Sequence, residues 1–245
     1  MIASLAWYPA AAPAWEALWD GIRARLPDDL DGVPERLIWP QDFRAHWRDR
    51  NLLLSMTCAL PMKLGLDRHV HVVGAPAWDV PDLPALPRGH YCSHIVTRAD
   101  ETRPLGVAAR GGLAVNAGDS QSGWGTLVAA GLDGPRLLTG SHAASMAAVA
   151  EGRADLAAID VVTWAIAPHP DLRVRVTTPP TPATPFVTAR ADLVGVLRDA
   201  IAGAIRAQSR EDRIASRLRG IEAMPDDAYR AELQRDVSGV PSVRG

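Results

Sequence analysis

Short apolar segments that end in a polar turn and continue into a helical pattern recur along this 245-residue chain. The clearest example is Gly112–Val115, which reads as a buried strand and leads into the turn Asn116–Trp124. The apolar run Leu52–Met56 ends in Thr57-Cys58 in the same way, and Ala154–Ile159 ends at Asp160. Because strands alternate with helices, the pattern predicts an α/β protein with mainly parallel sheets.

The turn Asn116–Trp124 has the composition of an anion site. A helix is predicted from Gly125 to Leu132, and the first N–H groups of a helix lack intrahelical partners. Ser120 and Ser122 add hydroxyl donors there, and the helix dipole adds partial positive charge. The turn is therefore a candidate anion cradle without lysine. The alternative is an ordinary N-cap, since Ser and Asp are preferred at that position.

Other strand ends carry polar residues that could share one cleft with this turn. They are Thr57, Ser141-His142 and Asp160. In open α/β sheets, ligands bind beyond the carboxyl ends of the strands. The alternatives are a capping or surface role for His142 and a capping role for Asp160.

Apolar residues at helical spacing predict further helices, the first from about Pro13 to Leu26 and another through Leu193 to Ile205. Ile214 with Leu218, and Tyr229 with Leu233, predict two more. Near the N-terminus, Tyr8 is expected in an exposed aromatic turn after a first strand.

Two hydrolase motifs can be compared with the serine turn. Gly118-Asp119-Ser120 copies part of a serine-protease motif, and His142 and Asp160 could complete a triad. However, Gln121 stands where that motif needs glycine, and a Gly-x-Ser-x-Gly elbow is absent. A motif match without its structural context is weak evidence, so a hydrolase is the less favoured reading of this turn.

Composition and charge exclude several classes of protein. The chain is 47% apolar and 22% charged with a formal net charge of -2, which does not favour nucleic acid or an anionic membrane as partner. No window is long and apolar enough for membrane insertion, and the N-terminus lacks signal-peptide features. We therefore expect a cytoplasmic protein, or a periplasmic one if the true N-terminus lies upstream. Cys58 and Cys92 fit neither a zinc site nor a disulfide framework, so free buried thiols and no metal are expected, with a single bridge between them as the alternative if the protein is exported.

Several segments together resemble one known family, the phosphate, phosphite and phosphonate substrate-binding proteins of ABC transporters. The segments are Asn116–Gly123, Gly140–Ser145, Ala148–Asp160 and Thr177–Pro182, with Leu52–Cys58 similar to the N-terminal block. The match runs from about Leu5 to Ile205.

This resemblance implies a type II periplasmic-binding-protein fold, with two α/β lobes and a ligand cleft between them. Lobe 1 would be discontinuous, with residues 1–96 and 187–245, and lobe 2 would contain residues 97–186. The chain would cross between the lobes near Ile95–Arg98 and in the proline-rich segment Thr178–Thr188.

The resemblance also implies a set of ligand-binding residues. The family's hydroxyl-rich turn maps onto Ser120, Gln121 and Ser122, its pocket histidine onto His142, and its strand-end acidic or amide residue onto Asp160. An aromatic side chain that closes the pocket maps best onto Tyr8, and Thr57 joins the set from the N-terminal block. Gln121 departs from the family pattern because it replaces a hydroxyl residue.

The function implied is reversible binding of a small phosphate- or phosphonate-like oxyanion without chemistry. The protein would be an ABC-transporter substrate-binding protein or an intracellular relative, and not an enzyme. Its partners would be the small-molecule anion and, if it is exported, an ABC permease; no cofactor is expected. The alternative is an enzyme in the same cleft, either a hydrolase or a relative of the thiamine-pyrimidine synthesis proteins that would use His142 and Cys58.

Overall fold

The computed structural model describes residues 1–81, 83, 86–225 and 227–229, and its contacts divide the chain into two compact units. The first unit consists of Met1–His90 and the described residues from Pro182 onward, and the second is Tyr91–Thr181. The division between the units falls after residues 90 and 181. The lobe boundaries expected from the sequence, after residues 96 and 186, lie a few residues later in the chain. Residue 226 and residues 230–245 of the expected first lobe, including Leu233, lie outside the described residues.

Both units combine strands and helices, which confirms the α/β class. The strands are β1 (Ile2–Ala3), β2 (Leu52–Met56), β3 (His71–Trp78), β4 (His90–Tyr91), β5 (Ser93–Arg98), β6 (Leu113–Val115), β7 (Arg136–Leu138), β8 (Leu156–Asp160), β9 (Leu172–Thr177), β10 (Thr181–Pro182), β11 (Phe186–Thr188) and β12 (Leu218–Glu222).

The α-helices are α1 (Ala12–Arg23), α2 (Phe43–Trp47), α3 (Ala59–Lys63), α4 (Leu105–Ala109), α5 (Thr126–Ala129), α6 (His142–Ala150), α7 (Val161–Ile166), α8 (Val194–Ala207) and α9 (Arg210–Ser216). Short 3₁₀ segments lie at Pro9–Ala11, Leu66–Arg68 and Ala191–Leu193, and a π-helical turn spans Gln121–Gly125. No helix in the described part of the chain is both long and apolar enough to cross a membrane.

The sheet of the first unit has the strand order β1-β2-β11-β3-β12. Strands β1 and β2 pair in parallel, whereas β11 runs antiparallel to both of its neighbours, β2 and β3. Helices α1 and α8 pack against each other in this unit, with Trp15, Trp19 and Ile22 buried on α1 and Leu197 and Ile201 buried on α8. The helical spacing in the sequence therefore predicted the buried face of α1 correctly.

The sheet of the second unit has the order β7-β6-β8-β5-β9. Strands β7, β6 and β8 are parallel, while β5 runs antiparallel to β8 and to β9. The prediction of mainly parallel sheets was wrong, since antiparallel pairs outnumber parallel ones among the described strands. A continuous apolar run shows that a strand is covered on both faces, but it does not show the direction of its neighbour.

Both faces of the second sheet are covered, because alternate residues of β5, β6 and β8 enter different cores. On β6, Leu113 and Val115 pack in one cluster and Ala114 in the other; on β8, Leu156 and Ile159 are divided in the same way. The carboxyl ends of β6, β7 and β8 lie along one edge of this sheet, and a helical segment follows each of them. That edge holds the residues described next.

Candidate functional site

The serine turn after β6 is wound more widely than the predicted α-helix. Ser120 is the N-cap, and its Oγ accepts a hydrogen bond from Gly123 N at 3.1 Å. Gly125 N donates to Ser120 O at 2.9 Å, a spacing of five residues that defines the π turn before α5. The helical structure thus begins at Gln121, four residues before the predicted start. π turns of this kind occur frequently at functional sites.

Gly123 allows this turn to pack closely against the strand end. A Cβ atom added to Gly123 would lie 2.0 Å from Asn116 Oδ1 and 3.1 Å from Ser120 Oγ. A larger side chain here would displace both of these polar groups. The glycine therefore keeps the turn compact and leaves the hydroxyl of Ser120 in place.

Three of the predicted ligand-binding residues meet at the strand ends. Ser122 Oγ lies 2.9 Å from His142 Nε2, and His142 Nε2 lies 3.4 Å from Asp160 Oδ2. Ser122 lies in the π turn after β6, His142 begins α6 after β7, and Asp160 is the last residue of β8. Ser122 and Asp160 are buried, with relative exposures of 7% and 3%, and the side chain of His142 is 12% exposed. We call these three residues the polar triad.

Asp160 also caps α7. Its Oδ1 accepts hydrogen bonds from Val162 N at 3.0 Å and Thr163 N at 2.9 Å, and its Oδ2 accepts one from the Thr163 hydroxyl at 2.5 Å. The capping alternative is therefore observed. It does not exclude a contact with a ligand, because Oδ2 also faces His142 and a carboxylate oxygen can accept two hydrogen bonds.

Burial keeps the histidine of the polar triad neutral near pH 7. It lowers the pKa of His142, and the Asp160 carboxylate and the Ala158 backbone carbonyl oppose this shift. Burial raises the pKa of the Cys92 thiol, and the Asp160 carboxylate adds to this effect. The pKa reaches about 11, so the thiol remains protonated. The site thus combines a carboxylate with neutral donors and acceptors.

Buried histidines should make the protein less stable as the pH falls. Burial lowers the pKa of His46, His94 and His142 below the usual value of 6.5. The unfolded chain then takes up protons that the folded chain does not, so acidification favours unfolding. Each group contributes up to about 1.4 kcal/mol per pH unit below pH 6.5. We expect the melting temperature to fall from pH 7.5 to 5.5, and to fall less in His94→Gln.

Replacement of the exposed His69 by Gln is the matched control for this pH series. That variant should keep the wild-type difference between the two melting temperatures. A melting temperature that is constant or rises towards pH 5.5 would contradict the neutral state of the buried histidines.

The geometry of the polar triad differs from that of a hydrolase. A serine–histidine–aspartate relay needs the hydroxyl and the carboxylate at opposite ring nitrogens of the histidine. Here Ser122 and Asp160 both approach Nε2 of His142. Ser120, the nucleophile of the hydrolase alternative, instead accepts a bond from Gly123 N. The relay that this alternative requires is not formed by these contacts.

The other predicted ligand-binding residues are not part of the polar triad. Gln121 is buried within the π turn, and its backbone carbonyl accepts a bond from the Thr126 hydroxyl at 3.1 Å. Tyr8 and Thr57 belong to the first unit. The expectation of an exposed turn at Tyr8 was wrong, because its ring stacks on Trp15 at 6.1 Å and is 3% exposed. Direct ligand contacts of these residues remain predictions.

The sequence analysis missed two hydroxyl residues beside the serine turn. Thr126 Oγ1 lies 3.3 Å from Ser93 Oγ, and both residues are buried. Ser93 is paired with Asp160 in the sheet, which places it next to the polar triad. Ser93 lies in the segment Tyr91–Thr97, where the alternation of residues indicates a strand, but only the antiparallel pairing of β5 with β8 brings it to this edge.

Comparison with known families gives one match that covers more than half of the chain. A model described as the periplasmic substrate-binding protein of phosphonate ABC transporters matches residues 85–229. No curated protein matches the chain.

Solved structures with the same fold include three from bacteria. PhnD1 from Prochlorococcus marinus in complex with methylphosphonate has a TM-score of 0.69 at 12% identity, covering 99% of this chain and 98% of that one. XAC2383 from Xanthomonas citri bound to ATP has a TM-score of 0.65 at 16% identity, covering 98% and 95%. A binding protein component of an ABC phosphonate transporter from Pseudomonas aeruginosa has a TM-score of 0.62 at 14% identity, covering 95% and 85%. These similarities confirm the predicted two-lobed type II fold.

Proposed function

Because this chain belongs to the family of periplasmic substrate-binding proteins of phosphonate ABC transporters, we propose that it binds a small phosphonate- or phosphate-like anion reversibly and without chemical conversion. The observation that carries the proposal is the polar triad at the carboxyl ends of β6, β7 and β8. Ligand-binding sites of open α/β sheets lie beyond the carboxyl ends of the strands.

Three helical segments begin at this edge, and their N-terminal ends favour a negative charge there. They are the π turn that continues into α5, then α6 and α7. Their first N–H groups carry partial positive charge, which attracts phosphate-like groups. The hydroxyls of Ser120 and Ser122 add two further donors in the same turn. These groups can hold an anion without a lysine or arginine side chain.

The charge of the site favours a ligand that carries a proton. A carboxylate such as Asp160 repels a fully deprotonated anion unless the anion donates a hydrogen bond to it. Phosphate and phosphonate monoanions keep a P–OH group, whereas sulfate has none. We therefore propose that Asp160 Oδ2 accepts a hydrogen bond from the ligand and selects phosphate-like anions against sulfate.

The proposed function is tested by calorimetric titration of the wild-type protein. The panel contains methylphosphonate, phosphate, phosphite and sulfate, with ATP added because one similar structure was solved with it. We expect saturable binding of at least one phosphorus oxyanion and weaker binding of sulfate. Absence of binding across the panel would overturn the proposal.

The selectivity assigned to Asp160 gives a separate prediction. In Asp160→Asn the amide can donate to a fully deprotonated oxyanion, so the ratio of phosphate to sulfate affinity should fall by about tenfold. Asn is also a favourable N-cap, so α7 should remain stable. Competition titrations of the two anions in wild type and variant measure the ratio. If the ratio does not move, Asp160 serves only as a cap.

The family also implies a partner and a location. Its members deliver a ligand to an ABC transporter and are described as periplasmic. We propose an ABC permease as the partner of this protein. Of the two locations expected from the sequence, the family favours the periplasmic one.

A further inference from the structure

Oxygen atoms surround the imidazole ring of His142 within the second unit. Nε2 lies 2.9 Å from Ser122 Oγ and 3.4 Å from Asp160 Oδ2. The Ala158 carbonyl is a further acceptor beside the ring, although Nδ1 makes no hydrogen bond of good geometry within the described residues. A neutral histidine has only one N–H group, so it leaves one ring nitrogen as a lone pair among these oxygens.

Asp160 provides acceptors and no proton to this cluster. Its Oδ1 accepts hydrogen bonds from Val162 N and Thr163 N, and its Oδ2 accepts one from the Thr163 hydroxyl. A histidine with protons on both nitrogens presents two N–H donors and carries a positive charge beside the carboxylate. The arrangement of the oxygens therefore fits the protonated form of His142 better than the neutral form.

Burial opposes that charge in the ligand-free protein. It lowers the pKa of His142, and Asp160 is the charged side chain among the described residues that acts against this shift. Asp160 also acts on Cys92 and His94, but both stay uncharged near pH 7, because burial raises the pKa of the thiol and lowers that of the imidazole. A second negative charge, that of a bound anion, favours the protonated ring of His142.

We propose that the anion binds together with a proton from the solvent, which His142 takes up at its unprotonated ring nitrogen; this inference rests on the proposed function. The charged ring then offsets the charge of Asp160 and donates to the oxygens that already surround it. The repulsion between the carboxylate and the ligand is reduced as a result. His142 thereby supplies the positive charge that the polar triad lacks in the ligand-free protein.

This coupling makes the affinity depend on pH. Binding raises the pKa of His142, so the protein takes up a proton at pH values between the pKa of the free protein and that of the complex. The affinity should therefore rise as the pH falls through this window, by about tenfold for each unit by which the pKa rises. Methylphosphonate and phosphate also ionise in this pH range, so the proton on the histidine must be measured separately from the proton on the ligand.

Nitrogen NMR of protein labelled at its histidines measures the proton on His142 directly, and the spectrum of His142→Gln assigns the resonance. In titrations with and without saturating methylphosphonate or phosphate, we expect the pKa of His142 to rise by at least about one unit on binding. His46 is the internal control. Its Nε2 lies 3.1 Å from Ser55 Oγ and burial lowers its pKa, but it belongs to the first unit, so its titration should not change.

Calorimetry at about pH 6.5, in buffers of different ionisation enthalpy, counts the protons that are taken up with the ligand. His46→Gln should take up the same number as wild type. His142→Gln should take up fewer, by up to one proton, because it retains only the proton that the ligand itself binds. The titration of wild type by NMR decides the question even if His142→Gln does not fold.

The outcomes separate this inference from the function on which it rests. If wild type binds and the pKa of His142 stays the same or falls, the ligand alone carries the proton; the inference is then overturned and the proposed function stands. Equal proton counts in wild type and in His142→Gln also overturn the inference. If wild type binds no anion of the panel, both proposals fail.

Discussion

Replacing Ser120 and Ser122 together by alanine should weaken the binding of methylphosphonate or phosphate by at least tenfold. The double change removes two hydroxyl donors from the π turn, and a hydrogen bond to a charged acceptor contributes about 1.5–3 kcal/mol. It also removes the contact of Ser122 with His142 Nε2, which holds the imidazole at this edge. Calorimetric titration of the double variant and of each single variant measures the loss. The single variants separate the two contributions, since Ser120 Oγ accepts from Gly123 N and can still donate its proton, whereas Ser122 Oγ also contacts His142 Nε2.

The control for this variant must separate binding from helix capping. Ser209 caps α9 in the first unit by accepting a bond from Asp212 N at 3.0 Å, just as Ser120 caps the π turn. Ser209→Ala should lose about 1 kcal/mol of stability and keep its ligand affinity. If the double variant binds as tightly as wild type, the anion is bound at another place in the protein.

The substitution Gly134→Ala should cause the largest loss of stability among single methyl additions to the second unit. A Cβ atom at this position would lie 1.9 Å from the backbone oxygen of Ala109, at the end of α4. That oxygen accepts a hydrogen bond from Gly112 N at 3.1 Å, so it cannot move away without losing this bond. Overpacking of this kind costs about 1–3 kcal/mol. The melting temperature should therefore fall by roughly 3–10 °C.

Gly195→Ala is the matched control for this methyl addition. Gly195 lies near the start of α8, and an added Cβ would meet no atom within 4 Å. Alanine is a better helix former than glycine by about 0.5–1 kcal/mol, so this variant should melt slightly higher than wild type. Equal melting temperatures for the two glycine variants would show that the Ala109 carbonyl relaxes without cost.

The sequence predicted the strand ends better than the way in which strands are paired. Ser122, His142 and Asp160 were selected because each follows an apolar run, and parallel strands bring such positions together. The pairing of β5 and β11 with their neighbours was not predictable from apolar runs, since burial on both faces looks the same in either direction. Ser93 was missed for this reason, because it reaches its position through an antiparallel pair.

Helical spacing also failed where the backbone changes direction within a few residues. Ile214 and Leu218 share helical spacing, but Arg217 adopts a left-handed conformation with φ 58° and ends α9, so Leu218 begins β12. The polar segment Arg98–Thr102 gives no local sign of its ion pairs either. Arg98 Nη2 lies 2.8 Å from Asp155 Oδ1, a partner more than fifty positions away, and such distant partners are not visible in local patterns.

The position of β11 between β2 and β3 has a consequence for the order in which the chain can fold during synthesis. Among the described residues, the second unit is one continuous segment, Tyr91–Thr181, so its strands are synthesised one after another without interruption. The first unit starts earlier but lacks its central strand until Phe186–Thr188 has been made. Until then, β2 and β3 each expose an edge that is open to pairing with another chain. The N-terminal ninety residues therefore depend on the last quarter of the protein, and a nascent or truncated chain that stops before Phe186 is the form most exposed to aggregation.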